Sequence, residues 1–392
     1  MKHTVIALLA GVCAVSLQAQ NNIPDVLSAV EQNNTTLQAL QKSVEARQLE
    51  NRTDIYLPGP EVEFNYLWGS PTQQGDRKDF KLTQQFDYAT LAGKKSGVAN
   101  QQNALIDLQY KIERMSILTE ARQLCIDIIY YNALLEELSV RSKYANTIAE
   151  AQKKRLDSGA GNQIEYNNVV MSLANIQGEV TRVSAERKAV ESSLALLNGG
   201  QAITLTQTAF DPIALPANFD EWYAGAEQKS PTLAYVRQEV ELSKRQLSLN
   251  KSLGVPSLTV GYMSENTLEQ KFRGVTVGLS IPLWSNRNKV RQAKTAVQAS
   301  ELNVEDAKLQ FYTRLNAQYD KTLELSKVKD TYRTALSQTN NSSLLMKAYD
   351  EGQITVLDYL LQMGFYYDAV NQALTAERDF QKSYNDLISV EL

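Results

Sequence analysis

From Val98 to Ser158 the chain runs 61 residues without a proline or a glycine, and from Leu283 to Glu351 it runs another 69. Both stretches are rich in Ala, Leu, Gln, Glu, Lys and Arg, the residues that lose least on entering a helix. The nine prolines stand at 24, 58, 60, 71, 212, 216, 231, 256 and 282, so none falls between 72 and 211 or after 282. At 1.5 Å per residue each stretch predicts a helix of roughly 90 to 100 Å. Periodic stretches of this length without caps point to a coiled coil or a helical array.

In the first stretch Ile117, Ala121, Leu124, Ile128, Tyr131, Leu135, Leu138, Ser142, Ala145 and Ala149 recur at alternating spacings of four and three. That is the 3.5-residue period of knobs-into-holes packing. Leu118, Cys125, Ile129 and Leu134 lie off this seam and predict contacts with more than one neighbour. In the second stretch Leu302, Leu309, Asn316 and Leu323 repeat every seven, with Tyr312 and Tyr319 between them. A shorter seam follows at Leu360, Met363, Tyr367, Val370 and Leu374. The plain expectation for all of these stripes is helix-bundle core, and for Cys125 an inert buried thiol.

Four short segments carry a period of two instead. Val62, Phe64, Tyr66 and Trp68 alternate with Glu61, Glu63, Asn65 and Leu67. Phe80, Leu82, Phe86 and Tyr88 alternate with Lys81, Thr83, Gln85 and Asp87. Leu258, Val260 and Tyr262 alternate with Thr259, Gly261 and Met263. Val275, Val277, Leu279, Ile281 and Leu283 alternate with Thr276, Gly278, Ser280 and Pro282. Such alternation predicts strands with one apolar face. Polar loops at 69–78 and 264–273 join them as two hairpins, at about 60–88 and 257–284.

The series helix, hairpin, long helix, return helix occurs twice. With the chain shifted by 196, nine of the 44 residues from Ile23 to Tyr66 match, among them Glu31-Gln32 with Glu227-Gln228 and Pro60 with Pro256. Ordinary residue frequencies give about two or three. Further on the shift becomes 193. Asp157-Ser-Gly159 then meets Asp350-Glu-Gly352, and Ile164-Glu165-Tyr166 meets Leu357-Asp358-Tyr359. The period is too long for a solenoid unit. It predicts a duplication, with a first repeat at 20–210 and a second at 211–392.

Residues 1–19 read as a secretory signal peptide: Lys2 supplies charge, Val5 to Val15 is an apolar or small run, and Leu17-Gln18-Ala19 is a cleavage pattern. Cys13 follows Val12 rather than the small residue that a lipoprotein signal requires, which argues against lipidation. Beyond Ala19 there is no His and a single Cys, Cys125. That excludes a Ser-His-Asp triad, a Cys-His pair, a His-ligated metal and an intrachain disulfide. No cofactor, metal site or catalytic residue is expected. Without Lys2 the net charge goes from −4 to −5, which does not suggest a nucleic-acid partner.

Four strands cannot close a membrane barrel, whose smallest examples have about eight, and open edges do not survive in lipid. Either the hairpins pack on soluble structure, or several chains pool them. A trimer would supply twelve strands. The aromatic positions Phe64, Tyr66, Trp68, Phe86, Tyr88 and Trp284 on an exported chain favour a barrel, with Phe64, Tyr66, Val277 and Ile281 toward lipid and Glu63, Asn65, Thr276 and Ser280 toward the lumen. The helices, longer than any bilayer, would then extend into an aqueous compartment.

Three segments carry a family resemblance: Leu57 to Tyr66 (LPGPEVEFNY), Leu279 to Ala296 (LSIPLWSNRNKVRQAKTA) and Asp350 to Tyr359 (DEGQITVLDY). In this order, within a duplicated frame, the chain resembles the TolC-like outer-membrane efflux channels of Gram-negative bacteria. The resemblance implies a mainly α fold with a small β part. Three chains would share a 12-stranded transmembrane β-barrel, with long coiled-coil helices forming a periplasmic α-barrel and short pieces near Gly199 to Trp222 forming a belt. It implies a homotrimer in outer-membrane lipid that docks on a periplasmic adaptor and an inner-membrane pump, and transforms nothing chemically.

By the same resemblance Gly159 and Gly352 make the turns of the periplasmic tip, Glu165 and Asp358 ring its entrance, and Tyr349 donates a hydrogen bond to Glu165 that helps hold it closed. The alternative for the two acids is an ordinary place in the first turn of a helix, favoured by its dipole. Two positions depart from the pattern. Ile354 stands where drug-exporting members carry a basic latch residue, and Leu361 stands where an inner acid ring would lie. A competing assignment is a non-transporting periplasmic coiled-coil spacer or scaffold, which accounts for the helices and the signal but not for the amphipathic hairpins. An enzyme is a more distant third, because no pair of acids sits in a pocket-forming pattern.

Overall fold

The computed structural model describes residues 22–53, 55–69, 75–86, 89–282, 284, 288–339 and 341–391. The signal peptide 1–19 with Cys13, the loop residues 70–74, and Asp87, Tyr88 and Leu283 of the strand patterns lie outside these. The elements run α1 (Ile23–Asn33), α2 (Thr35–Thr53), β1 (Glu61–Leu67), β2 (Arg77–Phe86), α3 (Ala89–Asp157) and α4 (Gln163–Leu197). They continue as α5 (Phe219–Lys229), α6 (Pro231–Ser252), β3 (Ser257–Asn266), β4 (Lys271–Ser280), α7 (Lys289–Gln338), α8 (Asn341–Asp350) and α9 (Val356–Ile388).

The two shifts found in the sequence reappear in the element boundaries. At 196, α1 falls on α5, the start of α2 on that of α6, and the start of β1 on that of β3. The caps correspond too. Asn22 and Asn218 cap α1 and α5 through their side-chain carbonyls, each accepting at 2.9 Å. Leu37 and Leu233 are buried at matching places. At 193, Gly159 falls on Gly352 and the start of α4 on that of α9.

One expectation fails. The second breaker-free stretch is not a single helix, since α7 ends at Gln338 and α8 begins at Asn341. The segment Thr339 to Ser343 reads Thr-Asn-Asn-Ser-Ser. These side chains compete with the backbone for hydrogen bonds and disfavour helix interiors. The Thr339 hydroxyl donates to the Ala335 carbonyl at 2.8 Å. A helix can therefore end without proline or glycine.

Two compact units partition the chain, and each is assembled from three segments. The first comprises residues up to Asn34, Glu120–Ile213 and Val328–Gln381. The second comprises Thr35–Thr119, Ala214–Lys327 and Lys382–Leu392.

In the first unit, the buried stripe of α3 is Ala121, Cys125, Ile128, Asn132, Leu138, Arg141, Ala145, Ile148 and Gln152, with Ile126, Ile129 and Leu134 beside it. The predicted seam shares Ala121, Ile128, Leu138 and Ala145 with it, whereas Leu124, Tyr131, Leu135, Ser142 and Ala149 are half-buried. The true stripe is masked in the sequence by three polar residues, each of which has an internal partner, although the Gln152 Oε1 stays buried without one. Asn132 donates to the carbonyls of Leu205 and Gln207, both at 2.9 Å. Arg141 pairs with Glu137 at 3.0 Å and lies over the Tyr367 ring. Gln152 donates to the Tyr349 hydroxyl at 2.9 Å.

In the second unit, Ala226, Leu233, Phe311, Leu315, Leu387 and Val390 form a core, with Phe219, Trp222, Tyr223 and Tyr319 packed against it. The leucines of the α7 heptad stripe take no part in that core: Leu302 and Leu309 are about two-thirds exposed (65% and 66%) and Leu323 is exposed as well, whereas Tyr312 packs edge-on against Phe219 and Tyr223. These three leucines leave an exposed apolar stripe along the helix.

Candidate functional site: the open sheet and the helix-tip turns

The sheet lies wholly in the second unit. Its order is β1-β2-β3-β4, antiparallel throughout, so the two hairpins are joined by a β2–β3 pairing between segments about 170 residues apart. β1 and β4 are left as open edges.

Directly paired residues of an antiparallel ladder point to the same side, so the register assigns both faces. One face carries the row Val62–Leu82–Tyr262–Val275, then Gln84–Val260–Val277, then Phe86–Leu258–Leu279. Phe64 and Phe80 continue it toward the hairpin tips. Most of these side chains are exposed, and Val62, Phe64, Val275, Val277 and Leu279 are each more than 60% exposed. Beyond the strands Trp68, Ile281 and Trp284 are exposed too. Contiguous apolar surface on this scale marks contact with a membrane or another chain.

The other face carries Glu61, Glu63, Asn65, Arg77, Asp79, Lys81, Thr83, Glu265, Thr276 and Ser280. Its cations are paired: Arg77 with Asp79 at 2.9 Å and Glu265 at 3.1 Å, and Lys81 with Glu63 at 3.5 Å. Phe64, Tyr66 and Val277 thus share one face and Glu63, Asn65, Thr276 and Ser280 the other, as the alternation predicts. Ile281 lies just past the end of β4.

The helix-tip turns lie in the first unit. After α3 the Gly159 N–H donates to the Leu156 carbonyl at 3.0 Å and the Ala160 N–H to Arg155 at 2.9 Å. After α8 the Gly352 N–H donates to Tyr349 at 2.9 Å and the Gln353 N–H to Ala348 at 2.8 Å. Both glycines have positive φ, 75° and 70°. This paired pattern is the Schellman ending, which needs a left-handed residue, and the chain uses it at both turns.

The two tip acids are placed differently. Asp358 is exposed and occupied locally. Its carboxylate accepts from the Thr355 hydroxyl at 2.7 Å and the Thr355 N–H at 3.3 Å, while the Asp358 N–H donates to the Thr355 hydroxyl at 3.1 Å. That reciprocal arrangement is a capping box. Thr355-x-x-Asp358 was visible in the sequence as its signature. Glu165, half-buried at the third position of α4, makes no hydrogen bond or ion pair among the described residues.

Among the described residues no hydrogen bond joins Tyr349 to Glu165. Its hydroxyl receives the Gln152 amide, and its ring lies 5.4 Å from that of Tyr359. Burial pushes the Tyr359 phenol well above its ordinary range, and that of Tyr367 up to about 12. Tyr349 belongs instead to the edge of a cluster of Ile148, Val169, Val356, Tyr359 and Met363, against which Ile354 also packs. Ile354 therefore serves as an apolar anchor for the turn. Leu361 is exposed, as are Ile164 and Leu357 beside the two acids. Among the described residues no group of His, Cys, Asp and Glu is arranged to hold a metal ion, and no helix is long and apolar enough to cross a membrane.

Residues 222–390 match the family described as outer membrane efflux protein. The chain is 21% identical over 359 residues to the alkaline protease secretion protein AprF of Pseudomonas aeruginosa, covering 82% of this chain and 74% of AprF. Among solved structures it is similar to CusC, with a TM-score of 0.79 at 13% identity over 94% of this chain and 91% of CusC. It is likewise similar to the MtrE outer membrane channel of Neisseria gonorrhoeae, at 0.74 and 14% over 94% and 88%. The likeness to the TolC-like proteins holds at the level of fold along nearly the whole chain, and at the level of sequence over residues 222–390.

Proposed function

We propose that this protein, which has the fold of the TolC-like outer-membrane channels, is the outer-membrane subunit of an efflux or type I secretion system. In this reading it is a passive exit duct that works as a homotrimer and catalyses no reaction. The observation that carries the reading is the sheet: one exposed apolar face, one polar face with its cations paired, and two unpaired edges. Neither water nor lipid tolerates that arrangement in a single chain.

Strand direction alternates from β1 to β4, so β4 of one copy meets β1 of the next in the antiparallel sense. Repeating the contact three times closes twelve strands with every edge paired. A strand of ten residues tilted by about 40° rises about 25 Å, the height of the apolar band on membrane barrels. The exposed α7 stripe Leu302, Leu309 and Leu323 would be covered by a neighbouring copy. The helix α3, with 69 residues and about 100 Å of length, exceeds any bilayer and would reach through the periplasm. There the Gly159 and Gly352 turns would form the end that meets a periplasmic adaptor and an inner-membrane pump, with Glu165 and Asp358 near the axis.

The test is the oligomer and its conductance. Full-length protein extracted from outer membranes should give three chains per particle by cross-linking and light scattering, and should open channels in planar bilayers. A stable membrane-inserted monomer would refute the shared barrel. A fully soluble periplasmic pool without conductance would support a coiled-coil spacer in its place.

A further inference from the structure

The charges of the sheet are sorted by face. All four acids of the strands, Glu61, Glu63, Asp79 and Glu265, lie on the polar face, together with the paired Arg77 and Lys81. The apolar face carries three charges, Lys78, Lys271 and Arg273, all positive. All three sit at the hairpin-tip end, Arg273 in the row of Phe64 and Phe80, and Lys78 and Lys271 in the row beyond it. Lys78 and Lys271 both stand opposite Asn266, one on β2 and one on β4, and Arg273 is two residues along β4 from Lys271. Two strand spacings put Lys78 and Lys271 roughly 10 Å apart.

The three side chains are exposed and have no carboxylate partner among the described residues. Lys78 lies 5.2 Å from the centre of the Tyr66 ring. Two acids stand beside this row: Asp76, which accepts the Tyr66 hydroxyl and lies 3.4 Å from the Gly69 N–H, and the exposed Glu269 of the β3–β4 turn. An unpaired cation row capping an exposed apolar band has the charge and polarity of a surface that meets hydrocarbon below and negative charge above.

We propose that Lys78, Lys271 and Arg273 form a docking margin for anionic, phosphate-bearing lipid headgroups in the leaflet at the hairpin-tip end. The proposal rests on the barrel reading and adds to it a headgroup preference and the residues that impose it. A trimer would present nine such cations around its circumference. Basic residues near an anionic surface strengthen binding severalfold each, and the effect is screened by salt.

The measurement is lipid selectivity by electron spin resonance. Full-chain protein is reconstituted in phosphatidylcholine vesicles containing a trace of spin-labelled phosphatidylglycerol or spin-labelled phosphatidylcholine. The protein should associate with the labelled phosphatidylglycerol about three- to tenfold more strongly at low ionic strength, and nearly equally in 1 M salt. Changing Lys78→Gln, Lys271→Gln and Arg273→Gln together should abolish the preference. The charge-conserving set Lys78→Arg, Lys271→Arg and Arg273→Lys should keep it, as should Lys289→Gln with Arg291→Gln at the start of α7.

A preference that survives the glutamine set, or that disappears with the α7 pair, overturns the proposal. So does a preference erased by 20 mM inorganic phosphate at matched ionic strength, which would mark a site for free anions. Wild-type protein that inserts and conducts but associates equally with both lipids refutes the margin and leaves the barrel standing. Wild-type protein that inserts into neither vesicle refutes both.

Discussion

Val277 and Thr276 are neighbours on β4, at nearly the same depth and on opposite faces. Val277 lies in the middle of the three apolar rows, opposite Val260, and is 69% exposed in the chain. Thr276 faces the polar side opposite Gly261, with Gly274 and Gly278 two residues away on its own strand. A long side chain at 276 therefore has room, since a Cβ at Gly274 would meet nothing within 4 Å. In water, Arg at either position would change stability by no more than about 0.5 kcal/mol. With the apolar face against hydrocarbon, Val277→Arg should cost about 2–4 kcal/mol per chain, and Thr276→Arg close to nothing. The assay is urea-induced unfolding of each variant reconstituted in phosphatidylcholine vesicles, followed by tryptophan fluorescence and by the heat-modifiable oligomer band. Equal midpoints for the two variants, or a larger loss for Thr276→Arg, would refute the assignment of faces.

Gly199→Ala should destabilise the protein more than Gly159→Ala in a thermal melt, because both have positive φ but an added Cβ at 199 would strike the Asn33 carbonyl, whereas the space at 159 is open. Tyr349→Phe should cost about 1–3 kcal/mol in urea unfolding, since the buried Gln152 amide would lose its acceptor while its Oε1 is already unpartnered. Asp358→Asn with Glu165→Gln should lower the cation preference of single channels; unchanged selectivity would leave both acids as helix-end residues only. Burial raises the Cys125 thiol from 9.0 to about 12, so its contribution to stability is full below about pH 8.5 and lost as pH rises toward 12. Iodoacetamide at pH 8 should therefore label Cys125 only in unfolded protein, and Cys125→Ala should differ from wild type in its pH dependence only above about pH 9.

The strands were legible because their two faces meet different surroundings, so alternation alone assigned Phe64 and Glu63 to opposite sides. The partnering of the hairpins was not, because β2 and β3 are brought together by chain segments about 170 residues apart and no local pattern encodes such a pairing. The long helices were legible through the absence of proline and glycine. The end of α7 was not, because Thr339, whose hydroxyl turns back to the Ala335 carbonyl, leaves no such gap in the pattern. The α3 stripe was displaced in the sequence by Asn132, Arg141 and Gln152, which look like surface residues until their partners are known. The glycines at 159 and 352 stood out in the sequence, and each takes the left-handed conformation that ends its helix. The contact of Tyr349 with Gln152 was not legible, because Gln152 lies on a helix that the local sequence around Tyr349 does not identify.

The open edges of the sheet also have a genetic consequence. In the proposed trimer no copy owns its barrel, since each supplies one third of a single wall through β1 and β4. A cell making equal amounts of normal chain and of a chain altered on the lipid face would assemble only about one ring in eight from normal chains alone, given random mixing in a closed cyclic trimer. Strand-face lesions should then behave as dominant, while a chain that never folds would leave the normal rings intact and behave as recessive.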